Sequence, residues 1–154
     1  MRRGTAERAR EGQPLILCDI DGTLANHEHR VHYIEPPRRD WNTFYDAMPQ
    51  DTPYPAIVRL VQDLAPSYRI CLVTGRPERT RRMTEYWLDR HLVPYDALFM
   101  RPDGDHRPDT VVKAEILEGV DVTEVAFALE DRDRVVKMWR DEGITCLQVK
   151  EGNY

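Results

Sequence analysis

The sequence predicts an α/β domain: a parallel sheet of about five strands, helices on both faces, and a small insertion after the first strand. Three observations predict it. Short apolar runs of strand length recur at 15–19, 68–73, 97–100, 125–129 and 144–149. Between them lie segments with apolar residues at helical spacing. Polar residues, many of them acids, close the runs. Strands alternating with amphipathic helices imply a parallel sheet covered on both sides, with ligands bound outside the carboxyl ends of its strands.

Each element has its own warrant. Residues 1–13 read as a charged tail, and 14–154 as one domain. Leu15 to Asp19 is an apolar run ending in an acid, a buried strand. The insertion at about 26–55 holds Pro36, Pro37, Pro49, Pro53 and Pro55, which interrupt regular structure, with room for one short helix at 41–48. Ile57, Leu60, Val61 and Leu64 set a helix that Pro66 closes. A strand at 68–73 is followed by a helix at 78–91 with Met83, Trp87 and His91 on one stripe. After the strand at 97–100, Asp109 can cap a helix to 118 with Val112 and Ile116 inward. The strand at 125–129 leads to a helix at 132–141 carrying Val135, Val136 and Trp139, stopped by Gly143. The strand at 144–149 is last.

Composition bounds the class. The chain has 154 residues, 41 % hydrophobic and 32 % charged, a globular balance for one domain. No apolar run approaches the roughly 18 residues of a membrane span. The N-terminal segment lacks the apolar stretch of a secretory signal, so a cytoplasmic protein is expected. Net charge −5 argues against a nucleic-acid coat. Cys18, Cys71 and Cys146 lack metal or disulfide spacing and read as buried thiols. His27, His29 and His32 read as exposed loop histidines. Trp41, Trp87 and Trp139 read as packing residues, although Trp41, in the insertion, could stack on a base.

The strand ends collect Asp19 and Asp21, then Thr74, Gly75 and Arg76, then Glu130 and Asp131, with Lys113 near the start of the preceding helix. Four acids packed together repel one another, and a hard divalent cation, Mg²⁺, resolves that repulsion with oxygen ligands. Phosphate monoester hydrolysis needs up to ~10²¹-fold acceleration. A metal clamp, a fixed nucleophile and a proton donor to the leaving oxygen supply the means.

Asp19-Ile20-Asp21-Gly22-Thr23-Leu24 resembles the first motif of the haloacid dehalogenase superfamily of phosphotransferases. Thr74-Gly75-Arg76 resembles the second, Lys113 the third and Glu130-Asp131 the fourth. The stretches Gly104-Asp105-His106-Arg107-Pro108-Asp109-Thr110-Val111-Val112-Lys113 and Glu130-Asp131-Arg132 through Val135-Val136-Lys137-Met138-Trp139-Arg140 are similar to the 3′-phosphatase domain of bacteriophage polynucleotide kinase–phosphatase. The resemblance implies a three-layer Rossmann-like sheet with a small cap insertion. It also implies roles: Asp19 as nucleophile, Asp21 as general acid–base, Thr74 and Lys113 as holders of phosphoryl oxygens. Mg²⁺ would sit on Asp19, Asp131, Glu130 and the backbone carbonyl of Asp21. Glu130 departs from the Asp usual in the phage domain. Arg30, Arg76, Gly75 and Asp109 would bind substrate, with Arg30 on a loop overhanging the phosphate and sharing it with Arg76.

The function so implied is a Mg²⁺-dependent polynucleotide 3′-phosphatase, with 2′,3′-cyclic phosphate within the family's range. The alternatives are a small-molecule phosphatase such as a nucleotidase, and a catalytically inactive module that binds nucleic-acid ends. No GxxxxGK[ST] occurs, so the kinase half is absent and the chain is either free-standing or one domain of a longer protein. Expected partners are nucleic-acid 3′ ends, RNA or DNA, with room for a homo-oligomer and for a separately encoded kinase or ligase, and no membrane.

Overall fold

A computed structural model describes residues 10–154. Residues 1–9 of the expected tail lie outside the described residues. The end of that tail is docked, because Arg10 Nη2 donates to the carbonyls of Ala65 and Tyr68 at 2.7 and 2.8 Å.

Strand β1 (Leu15–Cys18) leads into an insertion made of β2 (Ala25–Asn26), α1 (Glu28–Val31), α2 (Trp41–Asp46) and β3 (Thr52–Pro53). Then follow α3 (Pro55–Leu64), β4 (Arg69–Pro77), α4 (Arg81–Arg90), β5 (Ala97–Arg101), α5 (Asp109–Glu118), β6 (Val125–Glu130), α6 (Asp133–Asp141) and β7 (Cys146–Gln148). The main sheet has the order β5-β4-β1-β6-β7 and every pairing in it is parallel. From β1 the chain builds outward to β4 and β5, then crosses back to β6 and β7. The reversal opens a crevice at the carboxyl end of β1, where ligands bind in such sheets.

Alternation along the strands sorts the core into two layers. Ile16, Cys18, Ile70 and Leu72 pack with Val58 and Val61 of α3 and Trp87 and Leu88 of α4. Leu15, Leu17, Cys71 and Val73 pack on the opposite face with Leu117 of α5 and Val135, Val136 and Trp139 of α6. A strand with both faces covered must be apolar at successive positions, which is why Leu15–Cys18 shows no alternation of polarity. The three cysteines are buried and free. Among the described residues no helix is long and apolar enough to cross a membrane.

Several expectations are corrected. The insertion is closed by an antiparallel clasp, Ala25 opposite Pro53 and Asn26 opposite Thr52, too short to leave a pattern in sequence. The helix expected at 41–48 ends at Asp46, where a tighter turn at Met48–Gln50 takes over. The strand expected at 68–73 runs on to Pro77, so Thr74, Gly75 and Arg76 lie within β4. The helix expected from 78 begins at Arg81 after a 3₁₀ turn. Asp109 is the first residue of α5 and does not cap it, because its carboxylate is taken by Arg101 and Arg132. The last strand spans Cys146–Gln148 alone.

Candidate active site

The carboxyl ends of β1, β4, β5 and β6, with helices α1 and α5, deliver the site. The backbone N–H of Asp19 donates to the carbonyl of Leu129 at 3.0 Å, which holds Asp19 at the carboxyl end of β1. The chain then turns tightly, with the N–H groups of Leu24 and Ala25 both donating to the carbonyl of Ile20. Gly22 makes this turn with φ of +87°, and a Cβ there would fall 2.1 Å from Asp131 Oδ2. Only glycine meets both demands, and its small profile lets the Asp131 carboxylate approach.

The carboxylates of Asp19, Glu130 and Asp131 converge, with one oxygen from each inside 4.8 Å of the others, and all three residues are buried. Lys113, on α5, is buried beside them and donates to Asp19 Oδ1 at 2.7 Å and Glu130 Oε2 at 2.8 Å. Three carboxylates thus face one ammonium, two charges short of neutrality. The imbalance shows in proton affinities. Burial and the nearby Glu130 carboxylate push Asp19 up to about 7, against the pull of Lys113. Burial and Asp19 push Asp131 up to about 6. Burial alone would lower Lys113, but Asp19 and Glu130 outweigh it and hold the ammonium well above its ordinary range. Such a set of hard oxygen donors with a charge deficit fits a divalent cation.

The acids differ in what else they hold. Glu130 Oε1 accepts from the backbone N–H groups of Asp131 and Arg132, at 3.2 and 3.3 Å, so both of its oxygens are occupied. The Thr23 hydroxyl lies 3.2 Å from Asp19 Oδ2 and 3.4 Å from Asp131 Oδ1 and can donate to either. The Tyr154 hydroxyl donates to Asp131 Oδ2.

Asp21 has the opposite environment. Arg76 Nη2 and Arg30 Nη2 each donate to Asp21 Oδ1 at 2.7 Å, and Arg76 Nε lies 3.1 Å from Oδ2. Burial alone would raise this carboxyl; the Arg76 and Arg30 guanidiniums outweigh it and hold it well below the usual carboxylate range. Behind them lies Asp51, whose side chain is fully buried. Asp51 takes both Nε and Nη2 of Arg30, at 2.8 and 2.7 Å, and Nη2 of Arg76 at 3.3 Å. His29 Nε2 completes the set, 2.7 Å from Asp51 Oδ1.

The expectation for Arg30 is corrected here. It stands on the single turn of α1, not on an overhanging loop, and it is fully buried. Arg30 and Arg76 do meet, but their forks are turned onto Asp21 and Asp51 because two buried carboxylates lie within reach. Arg30→Lys is expected to lower kcat by about 10²-fold, since one ammonium cannot bridge two carboxylates with planar geometry. Steady-state turnover alongside a thermal melt checks this, and near-normal turnover would count against it.

Thr74 is buried at the cleft, its Oγ1 accepting from the Arg76 N–H at 3.2 Å. Gly75 admits Asp109, because a Cβ there would stand 2.5 Å from Asp109 Oδ1. Asp109 reaches the cleft already paired, to Arg101 and, at 2.9 Å, to Arg132. A carboxylate so held orients two arginines and offers no free charge of its own. His27 is buried at the cleft, contrary to the expectation of an exposed loop, and its Nδ1 has no hydrogen-bond partner among the described residues. Trp87 and Trp139 are core residues as expected, whereas Trp41 lies half exposed on the cleft wall.

Sequence reasoning assigned no role to Asp51, Arg101, Arg132 and Tyr154. Thr23 stood inside the first motif and its hydroxyl could have been noted there. Asp51 follows Pro49 and Gln50 in a proline-rich stretch and carries no local signal.

A family model described as the polynucleotide kinase PNKP phosphatase domain matches residues 13–154. The chain belongs to this family. This phosphatase domain is also similar to a chain in the solved structure of the Pnkp1/Rnl/Hen1 complex, at 31 % identity and a TM-score of 0.77, over 93 % of the domain and 48 % of that chain. A relative described as a bifunctional polynucleotide kinase/RNA ligase, from Autographa californica nuclear polyhedrosis virus, is 28 % identical over 131 residues, 82 % of the domain and 18 % of the relative. The domain therefore spans less than half the length of either. A haloacid dehalogenase-like hydrolase from Streptococcus pneumoniae shares the fold at 18 % identity and a TM-score of 0.63, covering 88 % of the domain and 84 % of that chain. The five-stranded parallel sheet of the PNKP phosphatase domain is thus that of haloacid dehalogenase-like hydrolases.

Proposed function

We propose that this phosphatase domain removes a terminal 3′-phosphate from RNA or DNA, using Mg²⁺ and a covalent aspartyl-phosphate on Asp19. The observation that carries the reading is the convergence of three buried carboxylates, Asp19, Glu130 and Asp131, on one buried ammonium, Lys113, with Asp21 two positions beyond Asp19 at the same cleft. Asp19 lies against Lys113 in the acidic group, and Asp21 lies in the grip of two arginines. The relatives' descriptions, a polynucleotide kinase/RNA ligase and an RNA repair complex, support a nucleic-acid end as substrate. They also support ligase or kinase partners, on the same chain or a separate one. The cleft, about 670 Å³, is lined by both aspartates and by Arg39 and Arg79, whose guanidiniums have no carboxylate partner among the described residues and suit a polyanion.

An oxygen of Asp19 attacks phosphorus and the bond to the 3′-oxygen breaks. As Arg30 and Arg76 turn to the entering dianion, Asp21 is released from their hold, takes up a proton and delivers it to that oxygen, which leaves as a hydroxyl. A water then attacks the same phosphorus and gives its proton to Asp21. The bond to Asp19 breaks and inorganic phosphate departs. Lys113 and Thr74 hold phosphoryl oxygens, and Lys113 keeps Asp19 oriented between turnovers. Arg30 and Arg76 are shared between Asp21 and the entering dianion, since both present negative oxygens to the same forks. Asp19 and Asp131, whose remaining partners are rotatable hydroxyls, would hold Mg²⁺ with the Asp21 carbonyl, while Glu130 steadies Lys113 beside them. When bound, the cation supplies Lewis-acid neutralisation of charge on the phosphoryl oxygens.

The test compares kcat/KM on a 3′-phosphorylated oligonucleotide with that on 3′-mononucleotides, with Mg²⁺ and with chelator. The oligonucleotide is expected to win by about tenfold or more, because remote contacts contribute to the transition state, and chelator is expected to abolish turnover. Preference for mononucleotides would favour a nucleotidase. No turnover of any phosphate monoester would favour a binding module.

A further inference from the structure

The cleft has a second wall that the chemistry above does not use. Helix α2 presents Trp41, Phe44 and Tyr45 to it. Trp41 is 47 % exposed, while Trp87 and Trp139 are 1 % and 2 % exposed, so the fold leaves one indole face open and that face borders the active site. The Trp41 ring is stacked on Tyr45 at 28° with centroids 6.0 Å apart, and meets Phe44 edge-on at 5.7 Å. Phe44 in turn lies under the Arg30 guanidinium, 4.4 Å from its carbon, and Arg30 is the group that holds Asp21. One continuous aromatic shelf therefore runs from the partner of Asp21 out to Trp41.

The direction of that shelf matters. Asp21 serves the leaving oxygen, so the leaving group extends from Asp21, and in a polynucleotide the leaving group is the terminal nucleoside. Arg79 stands over the outer part of the shelf, 5.4 Å from the Tyr45 centroid, and donates to Asn42 Oδ1 at 3.3 Å. Among the described residues, the guanidinium groups of Arg39 and Arg79 on this wall have no carboxylate partner, although the Arg79 backbone N–H donates to Asp103 Oδ1 at 2.8 Å, whereas Arg107 opposite is paired with Asp105 and Glu115. The wall thus offers an exposed π-face flanked by uncommitted positive charge, the pairing that binds single-stranded nucleic acid.

We propose that Trp41, backed by Tyr45 and Phe44, stacks on the nucleobase of the 3′-terminal nucleotide, with Arg39 and Arg79 facing the adjoining backbone phosphate. The proposal rests on the polynucleotide reading of the site. Every base has a π-face, so this contact favours a base over no base and discriminates little among the four.

The experiment uses two oligonucleotides with the same sequence and a 3′-phosphate, one carrying its terminal base and one abasic at that terminal sugar. The readout is the ratio of kcat/KM on the first to that on the second. Base–aromatic stacking of ordinary strength gives wild-type protein a ratio of about tenfold. Trp41→Ala is expected to bring the ratio close to one, and Trp41→Phe to keep most of it. A ratio near one in the wild type, or an undiminished ratio in Trp41→Ala, would overturn the proposal. If Trp41 served packing alone, Trp41→Ala would slow both substrates together and leave the ratio unchanged. Wild-type protein inert on both oligonucleotides, yet active on small phosphate monoesters, would remove the polynucleotide reading itself, and the stacking site with it.

Discussion

Asp19→Asn is expected to remove turnover almost completely, by about 10⁴-fold or more in kcat, the scale seen when a covalent nucleophile is deleted. The change is small in every other respect. The amide oxygen can still accept from Lys113, the side chain keeps its volume, and one of three mutually repelling carboxylates loses its charge. Thermal stability is therefore expected to hold or rise while activity vanishes, a combination that separates chemistry from folding. Single-turnover reaction with a ³²P-labelled 3′-phosphate checks the intermediate directly. Wild-type protein quenched in acid should carry label, and Asp19→Asn should carry none. Substantial activity in the variant would mean that water attacks phosphorus without a covalent step.

Lys113→Met is expected to be the most damaging single change to stability. The ammonium is buried against Asp19 and Glu130 at 2.7 and 2.8 Å and is, among the described residues, the only cationic side chain bonded to either. Methionine preserves the length of the chain and abolishes the charge, leaving three buried acids with no close counter-charge. Breaking a buried pair in this way costs about 3–5 kcal/mol, because the surviving charges stay desolvated. Urea unfolding in chelator should show that loss. Two additions should restore part of it. Mg²⁺ held in the proposed site would stabilise the folded state by mass action, and Glu130→Gln in the same chain removes one orphaned charge. Activity should not return with either, since the phosphoryl contact proposed for Lys113 is still missing. A Lys113→Met protein as stable as wild type in chelator would show that the acids need no counter-charge.

Much of this was legible in the primary structure, and the reason is physical. A buried parallel strand must be apolar at successive positions, and a covering helix must be apolar at every third or fourth, so Leu15–Cys18, Ile70–Val73 and the Val135, Val136, Trp139 stripe declare their layers locally. Strand ends are where a doubly wound sheet binds ligands, so Asp19, Asp21, Thr74, Arg76, Glu130 and Asp131 could be collected before any coordinates. Lys113 could be added by its place on the adjoining helix.

Other features have no local period and waited for the tertiary structure. Asp51 stands 21 residues beyond Arg30 and becomes its partner because Thr52–Pro53 pairs back onto Ala25–Asn26 and returns the insertion to the site. The same closure makes Arg30 a buried bridge between two carboxylates instead of a residue on an overhanging loop. Asp109 shows a parallel effect, since a residue placed to cap a helix is claimed by Arg101 at the end of β5 and by Arg132 in the link between β6 and α6. His27 is buried and Trp41 exposed, the reverse of what composition suggests, because the insertion folds over the first and leaves the second on the rim. Periodicity and strand-end chemistry are properties of neighbouring residues, so the sequence alone determined the sheet, its layers and the acids at its edge. The pairing of a buried charge is set by whichever opposite charge the fold brings within reach, and that only the tertiary structure decided.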